Sequence, residues 1–271
     1  ALDDNGTPLD VNTPSTFSDD FVVDGDIGLR GNVTELSFAT IKDTKGTPAL
    51  TDDVSYLALE VTGLTAALIG LEDILVFNAW DINVQVNSAT HADGVTVVDK
   101  IDWSNFAVTD GITLPTFTMD DSVDLHADGN VALNILDGVV VAKSGFDMTL
   151  GQVTGSDTAS GGTTDLTDAQ AMTVTLTGVE LWVGVGGALD DNGTPLDVNT
   201  PSTFSDDFVV NGDIGLRGNV TEFSFATLKA AGVDGTLGTA DDLSYLGLEV
   251  TGLTASLIGL EDILVFNAWD I

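Results

Sequence analysis

The stretch LALEVTGLTAALIGLEDILVFNAWDINVQV, residues 57–86, decides the fold. Apolar residues occupy alternate positions over 57–61, and the alternation resumes in a new phase after Gly63 and again after Gly70. Strict alternation over several residues is typical of a strand with one buried face. A glycine at each change of phase suits a bulge or corner, where the buried face is reset. The stretch therefore predicts long β-strands and an all-β protein.

Other segments carry the same alternation and are predicted strands: residues 21–23, 27–41, 131–141, 146–153 and 172–185. The segments between them are dense in Asp, Asn, Gly, Thr, Ser and Pro, a composition typical of surface turns. These predicted loops are residues 3–20, 42–53, 88–94 and 155–168. Helical spacing of apolar residues is hardly visible, so strands and loops account for the chain.

A long internal repeat is the strongest feature of the sequence. Residues 1–42 recur at 188–229 with three differences, at an offset of 187 residues. Residues 56–82 recur at 245–271 at an offset of 189, because the intervening loop of the second copy is two residues longer. Such a period predicts a tandem array in which each unit rests on its neighbours.

The repeat also sets the predicted domain organisation. A weaker similarity, such as Thr62-Gly63-Leu64 with Thr177-Gly178-Val179, suggests that the unit is itself two diverged halves. We predict one full unit at residues 1–187, with halves at about 1–95 and 96–187, and a partial second copy at 188–271.

Two architectures fit this pattern. One is an elongated β-solenoid or continuous β-sheet fibre, and the other is a string of β-sandwich domains. We favour the elongated form, because alternation continues from Leu57 for about 30 residues without the polar turn that a sandwich expects every 8 to 12 residues. The second copy stops at Ile271, whereas the first runs on past the equivalent Ile82, so we expect about one and a half units of a longer array.

The net charge of the chain restricts the classes of partner that it can bind. Asp and Glu total 43 against 7 Lys and Arg, giving a net charge of −36, yet 43% of the residues are hydrophobic. This combination indicates a folded chain with an acidic surface. Nucleic acid is excluded as an expected partner, because phosphate is bound mainly by Lys and Arg. No apolar run is long enough to predict a membrane span. The mutual repulsion of these carboxylates must be screened by salt or reduced by bound cations. This requirement indicates an extracellular or cell-surface location.

The candidate metal ligands lie in acidic loops that recur in the repeat. Each loop places carboxylate and amide oxygens around a glycine, and calcium takes six to eight oxygen ligands in flexible geometry. Turn formation by Asp, Asn and Gly explains the same pattern, and the EF-hand spacing is absent. The candidates are Asp3, Asp4, Asn5 and Asp10, their copies Asp190, Asp191, Asn192 and Asp197, and Asp234, Asp241 and Asp242 of the longer loop.

The sequence contains no recognisable catalytic motif. There is no G-x-S-x-G, no P-loop, no G-x-G-x-x-G leading into a helix, and no cysteine. His91 and His126 each precede an Asp by two residues and could act as a ligand or base, although exposed histidines of this kind are far commoner. Trp80 and Trp269 keep the phase of the apolar face and are predicted to pack in the core. The chain is therefore predicted not to be an enzyme.

The unit resembles the tandem repeats of giant bacterial surface and secreted proteins, the repetitive adhesins that often carry hemolysin-type calcium-binding modules. The similarity rests on VELWVGVGG leading into ALDDNGTPLD, on the loop GVDGTLGTADD, and on LTAALIGLEDILVFNAWDINVQVN. The glycine-rich nonapeptide of the calcium-binding β-roll is absent. The resemblance implies an extracellular stalk, fibre or adhesin with calcium as a structural cofactor.

These observations lead to a structural expectation for function. The first hypothesis is a non-catalytic extracellular filament or stalk, whose partners are neighbouring copies of the same repeat in a fibre or homopolymer. The alternative is an adhesin or carbohydrate-binding module that recognises surface polysaccharide or another cell. A polysaccharide-processing β-helical enzyme ranks last, because binding acidic sugars would need basic residues that the repeat lacks.

Overall fold

The three-dimensional structure is a computed structural model that describes residues 2–4, 7–8, 20–22, 26–71, 74–157, 164–191, 194–195 and 207–271. The prediction of an all-β protein is confirmed, since these residues form seventeen strands. They are β1 (Leu2–Asp4), β2 (Thr7–Pro8), β3 (Asp20–Val22), β4 (Gly28–Asn32), β5 (Glu35–Asp43), β6 (Val54–Ile69), β7 (Leu75–His91), β8 (Val123–Ile135), β9 (Val140–Ser156), β10 (Asp165–Val185), β11 (Ala188–Asp191), β12 (Thr194–Pro195), β13 (Asp207–Val210), β14 (Ile214–Ala230), β15 (Leu243–Thr251), β16 (Thr254–Ile258) and β17 (Asn267–Ala268).

Across the described residues there is no helix, and hence none with the length and hydropathy needed to cross a bilayer.

Eleven strands form one large antiparallel sheet, and each long strand pairs with the next along the chain. Both β4 and β5 pair with β6, which is followed in order by β7, β8, β9, β10 and β14. Both β15 and β16 pair with β14, and β17 pairs with β16. Two three-stranded sheets, β2-β1-β3 and β12-β11-β13, stand at equivalent places in the repeat, each before the first long strand of a copy.

The pairing register of the first copy recurs in the second. Gly28 lies opposite Ile69, and the equivalent Gly215 lies opposite Ile258. The third strand keeps its place too, because Ala66 lies opposite Ala79 just as Ala255 lies opposite Ala268. The same sequence therefore builds the same ladder twice within one sheet.

Gly63 resets the alternation of β6, as the sequence predicted. Its φ is +63°, and the equivalent Gly252 has a φ of +66°. Two other strands of the sheet carry bulges, at Asp81 of β7 and Gly178 of β10. Both residues also adopt positive φ, and the pairing register shifts by one residue at each. Gly70 acts differently: β6 ends at Ile69, so Gly70 belongs to the turn that follows.

Two clusters of buried side chains form the hydrophobic core. The first core lies beneath β11 and β13 and consists of Ala67, Ile69, Val76, Trp80, Ala132, Val141, Trp182, Leu189 and Val209. The second core lies beneath the irregular segment 92–122, here called the middle cap, and consists of Ala39, Ala58, Trp103, Phe117 and Met119.

Both cores lie on the same face of the sheet. The bulges beside Trp80 and Thr177 insert their extra residues into β7 and β10, so β8 is regular from His126 to Asn130 and these two residues project from one face. His126 lies opposite Gln85, which donates to Thr118 of the middle cap. Asn130 lies opposite Trp80 of the first core. We call this the capped face and the other the apolar face.

The caps sit at opposite ends of the strands. The middle cap follows β7, and β11 follows β10 after only two residues, so three long strands separate one cap from the next. An odd number of antiparallel strands returns the chain to the other end of the sheet.

Candidate functional site

The acidic loop of the second copy is the best-described candidate metal site. The Asp234 N–H donates to Oδ2 of Asp241 at 3.2 Å, and the Gly238 N–H donates to Oδ2 of Asp242 at 2.8 Å. The Thr239 hydroxyl donates to Oδ1 of Asp241 at 2.7 Å, and Nζ of Lys229 lies 2.8 Å from Oδ2 of Asp242. These carboxylates bind their own loop in the way that Asp residues do in turns.

The same contacts lower the pKa values of two carboxyl groups in the loop. Hydrogen bonds from the Thr239 hydroxyl and from backbone N–H groups hold the pKa of Asp241 below its usual value. The Lys229 ammonium, followed by the Gly238 N–H, lowers the pKa of Asp242. Because folding depresses these pKa values, the stabilisation from the contacts is fully present above the unfolded pKa near 4 and is lost as the pH falls through the lower folded-state pKa.

The other predicted ligands are only partly described. Asp3 and Asp4 lie in β1, and Asp190 and Asp191 lie at the equivalent place in β11. Asn5, Asp10, Asn192 and Asp197 lie outside the described residues. Part of the predicted loop 3–20 is therefore a small sheet, in which Asp4 pairs with Thr7, and Asp191 pairs with Thr194 in the equivalent sheet of the second copy.

Within the described ranges, no three His, Asp or Glu side chains gather in a way that could hold a metal ion.

The two histidines lie beside carboxylates rather than in a cleft. Nδ1 of His91 lies 3.0 Å from Oδ1 of Asp93, within the turn that ends β7. The Thr96 hydroxyl, ahead of the N–H groups of Thr96 and Val95, lowers the pKa of Asp93. Nε2 of His126 lies 3.4 Å from Oδ2 of Asp147 on the neighbouring strand. Each histidine thus contacts an aspartate of the same sheet or turn.

The middle cap is fastened to the sheet by polar contacts. Asn87 of β7, only 1% exposed, donates to the carbonyls of Ile101 at 2.9 Å and Asp120 at 2.8 Å, and accepts from Nε1 of Trp103 at 3.0 Å. Glu60 accepts the Thr118 N–H at 3.0 Å. A shallow cavity of about 500 Å³ lies within this cap, lined by residues 103–117 other than Asn105 and Ala107.

The β11–β13 cap is fastened by an ion pair. Nη2 of Arg217 lies 2.7 Å from Oε2 of Glu180, and Nη1 of Arg217 donates to the carbonyl of Val209. Glu180 also accepts the Val209 N–H at 3.2 Å. Glu180 belongs to the first copy and Arg217 to the second, so this contact joins two copies of the repeat.

Of the predicted core tryptophans, Trp80 is buried and Trp269 is 69% exposed. Trp80 packs in the first core, where Nζ of Lys143 lies 5.5 Å from its ring centroid. The prediction for Trp269 was wrong for this chain, because the described strands provide no counterpart of β8 and β9 beside it.

The apolar face is the largest feature that the sequence did not reveal. Residues directly opposite each other in an antiparallel ladder project from the same face. Starting from Leu36 and Phe38 of β5, the registers trace two rows across eight strands to Leu248 and Leu246 of β15. The first row is Leu36, Val61, Val84, Ala127, Met148, Val174, Phe225 and Leu248. The second is Phe38, Leu59, Val86, Leu125, Leu150, Met172, Thr227 and Leu246.

Neither row contains a charged residue, and both are exposed on the edge strands β5 and β15 and mostly half-buried on the strands between. Phe38 is 52% exposed and Leu248 is 58% exposed. Among the described residues, none from either cap joins these rows in a buried cluster. Alternation in the sequence could not tell which face the caps would cover. It also missed the bulge at Asp81, which places Trp80 on the capped face and Val84 and Val86 on the apolar face.

Comparison with known protein families, with curated proteins and with solved structures finds no match to this chain.

Proposed function

We propose that the protein is a non-catalytic structural segment of an extracellular or cell-surface filament or stalk, built as a continuous β-sheet from tandem repeats. The observation that carries this proposal is the recurrence of one pairing register in both copies within a single sheet. In this arrangement a further copy would lengthen the sheet through the same strand pairing that joins the first two copies, so no different interface is required.

The joint between the copies supports a continuous sheet rather than a string of separate sandwiches. β10 of the first copy pairs with β14 of the second from Gln170 opposite Lys229 to Val185 opposite Ile214. The contact between Glu180 and Arg217 crosses the same joint. Separate domains would be expected to have few contacts across their linker.

The edge of the first copy offers the same pairing surface. β14 uses one side for β10 and the other for β15 and β16, whereas its counterparts β4 and β5 pair with β6 on one side. A strand equivalent to β10 from a neighbouring copy would complete the edge formed by β4 and β5. The partner in this proposal is therefore another copy of the repeat.

Calcium and the extracellular location belong to the same proposal. The net charge of −36 favours a medium in which cations screen or bind the carboxylates. In the proposal, calcium binds the acidic loops that include Asp3, Asp190 and Asp234, and stabilises the fold without taking part in chemistry. The turn contacts at Asp241 and Asp242 would then be shared with the ion.

The test is the length of arrays with one, two and four copies of residues 1–187. Six strands at a spacing of about 4.8 Å should add roughly 29 Å for each copy, in a ribbon of uniform width. Electron microscopy and small-angle scattering measure both quantities. Beads of constant size joined by bends would contradict the continuous sheet and favour separate sandwiches.

An adhesin or carbohydrate-binding module is the second candidate. The observation in its favour is the shallow cavity of the middle cap, whose lining includes the exposed Phe106 and the buried Trp103. Aromatic side chains beside a shallow cavity suit the apolar faces of sugar rings. Retention on a glycan array, lost in Phe106→Ala, would favour this candidate.

A further inference from the structure

We propose that the apolar face is a docking surface for a second copy of this chain, so that two sheets pack face to face with both capped faces outward. This inference concerns the face of the sheet, whereas the proposed function rests on its edges. Either can therefore fail without the other.

The exposed apolar surface is too large for an isolated sheet. Monomeric soluble proteins rarely expose apolar patches above a few hundred Å². The two rows cross eight strands about 4.8 Å apart and take up four residues along each strand, so they cover roughly 500 Å². Face-to-face packing of two copies would bury this area on each partner, or roughly 1,000 Å² in total, the size at which specific interfaces begin.

The width of the sheet supports the same conclusion. Open sheets of more than about ten strands tend to curl, flatten or split into two packed layers. This sheet is nine strands wide, since β4 and β5 share one side of β6 and β15 and β16 share one side of β14, so it is close to that limit, and only its capped face is packed against other described segments. A second sheet on the apolar face would give the ordinary layered arrangement, with about 10 Å between the layers.

The distribution of charge favours a second copy over an anionic partner or an anionic membrane surface. The two rows are uncharged, while acidic residues such as Glu60, Asp128 and Asp147 lie on the capped face. In a face-to-face pair the acidic groups of the two copies would lie on opposite outer surfaces. That separation exceeds the screening length of about 8 Å at physiological salt.

The surface is also self-complementary, as a twofold interface requires. A patch of aliphatic and aromatic side chains without charge can pack against its own copy with no unpaired polar group. Val174 and Met148 lie opposite each other near the middle of the first row, so they should lie near the centre of the interface.

The first experiment measures the molecular mass of the chain by sedimentation equilibrium between 1 and 100 µM. We expect a dimer whose dissociation constant rises at least tenfold in Val174→Glu and in Leu248→Glu. Thr173→Glu is the matched control, since Thr173 is exposed on the capped face one residue from Val174 and should leave the dimer unchanged. Circular dichroism establishes that each variant keeps its strand content, and Leu248, at the exposed end of the row, provides a second site if Val174→Glu fails to fold.

The second experiment uses the absence of cysteine in the chain. A bismaleimide with a spacer of about 10 Å, the distance between packed sheets, should link two copies of Met148→Cys and leave Thr173→Cys largely unlinked. Proline in β4 or β5, which blocks the edge, should leave this linkage intact.

Three outcomes would overturn the inference. These are a monomer throughout the concentration range, a dimer equally stable in both face variants, or linkage at Thr173→Cys instead of Met148→Cys. Flotation of a monomeric chain with phosphatidylcholine vesicles, abolished in Val174→Glu, would also overturn it by assigning the face to lipid.

Discussion

At the scale of single residues, Asn87 decides how the middle cap attaches. It is buried among apolar side chains, and its amide satisfies two carbonyls and one indole N–H of the cap. A buried polar group that loses its partner costs about 1–3 kcal/mol. The three contacts make Asn87 the central polar link between the cap and the sheet.

Replacement of Asn87 by Ala should lower the free energy of unfolding by about 3 kcal/mol, because it leaves the Trp103 indole and two carbonyls buried without partners. Urea titration followed by tryptophan fluorescence measures this loss. Ser88→Ala is the control, since Ser88 is exposed on the opposite face, and it should be close to neutral. Equal stability of the two variants would show that the cap does not depend on Asn87.

Sequence pattern predicted the apolar part of the cores better than the polar part. Trp80 follows the alternation, and its burial was predictable from that alone. Asn87 is polar and out of phase with the apolar Val84 and Val86, so only the approach of the cap explains its burial. The exposure of Trp269 depends on neighbouring strands, which a local pattern does not report.

At the scale of elements, the strands depend on their bulges. Gly63 and Gly252 occupy the same place in the two copies, with positive φ and a threonine close by. A Cβ at Gly63 would lie 2.5 Å from Oγ1 of Thr34, and one at Gly252 would lie 2.3 Å from Oγ1 of Thr221. Both conformation and space therefore require glycine.

We predict that Gly63→Ala and Gly252→Ala each destabilise the chain by on the order of 2 kcal/mol, since alanine is strained at positive φ. Gly247→Ala is the matched control in β15, where an added Cβ meets no atom within 4 Å and the first copy already has Ala58. It should be neutral or slightly stabilising. Thermal unfolding by calorimetry compares the three. A harmless Gly63→Ala would mean that the bulge does not need a left-handed residue.

The elements were predictable where alternation was long, and less so where turns were short. The predicted strand 172–185 lies within β10, whereas the predicted strand 131–141 is interrupted by a turn between β8 and β9. That turn has positive φ at Leu136, Asp137 and Gly138, and its Asp-Gly pair is a hairpin signal that the apolar run obscured. The predicted strand 27–41 is divided into β4 and β5.

At the scale of the whole molecule, the charge of −36 should make stability depend on ions. We predict that the melting temperature rises as NaCl increases from 10 mM to 500 mM, because the Debye length falls from about 30 Å to under 5 Å. If calcium binds the acidic loops, millimolar CaCl₂ should raise it further than MgCl₂ at equal ionic strength, and a chelator should reverse the gain.

Asp234→Asn combined with Asp241→Asn tests whether the described loop contributes to that calcium effect, and Asp110→Asn combined with Asp121→Asn, both exposed in the middle cap, is the charge-matched reference. The calcium increment should shrink in the loop variant and persist in the reference. Identical responses to calcium and magnesium in the unmodified chain would rule out a specific structural cation.

The sequential order of the long strands has a mechanical consequence. Tension across the sheet acts along the hydrogen bonds, and a long ladder such as that between β10 and β14 shares the load over its whole length. If one three-strand group detached under force, its roughly 90 residues could release about 300 Å of slack. The covalent chain would stay intact while neighbouring groups kept their structure, so an overloaded array would lengthen before it broke.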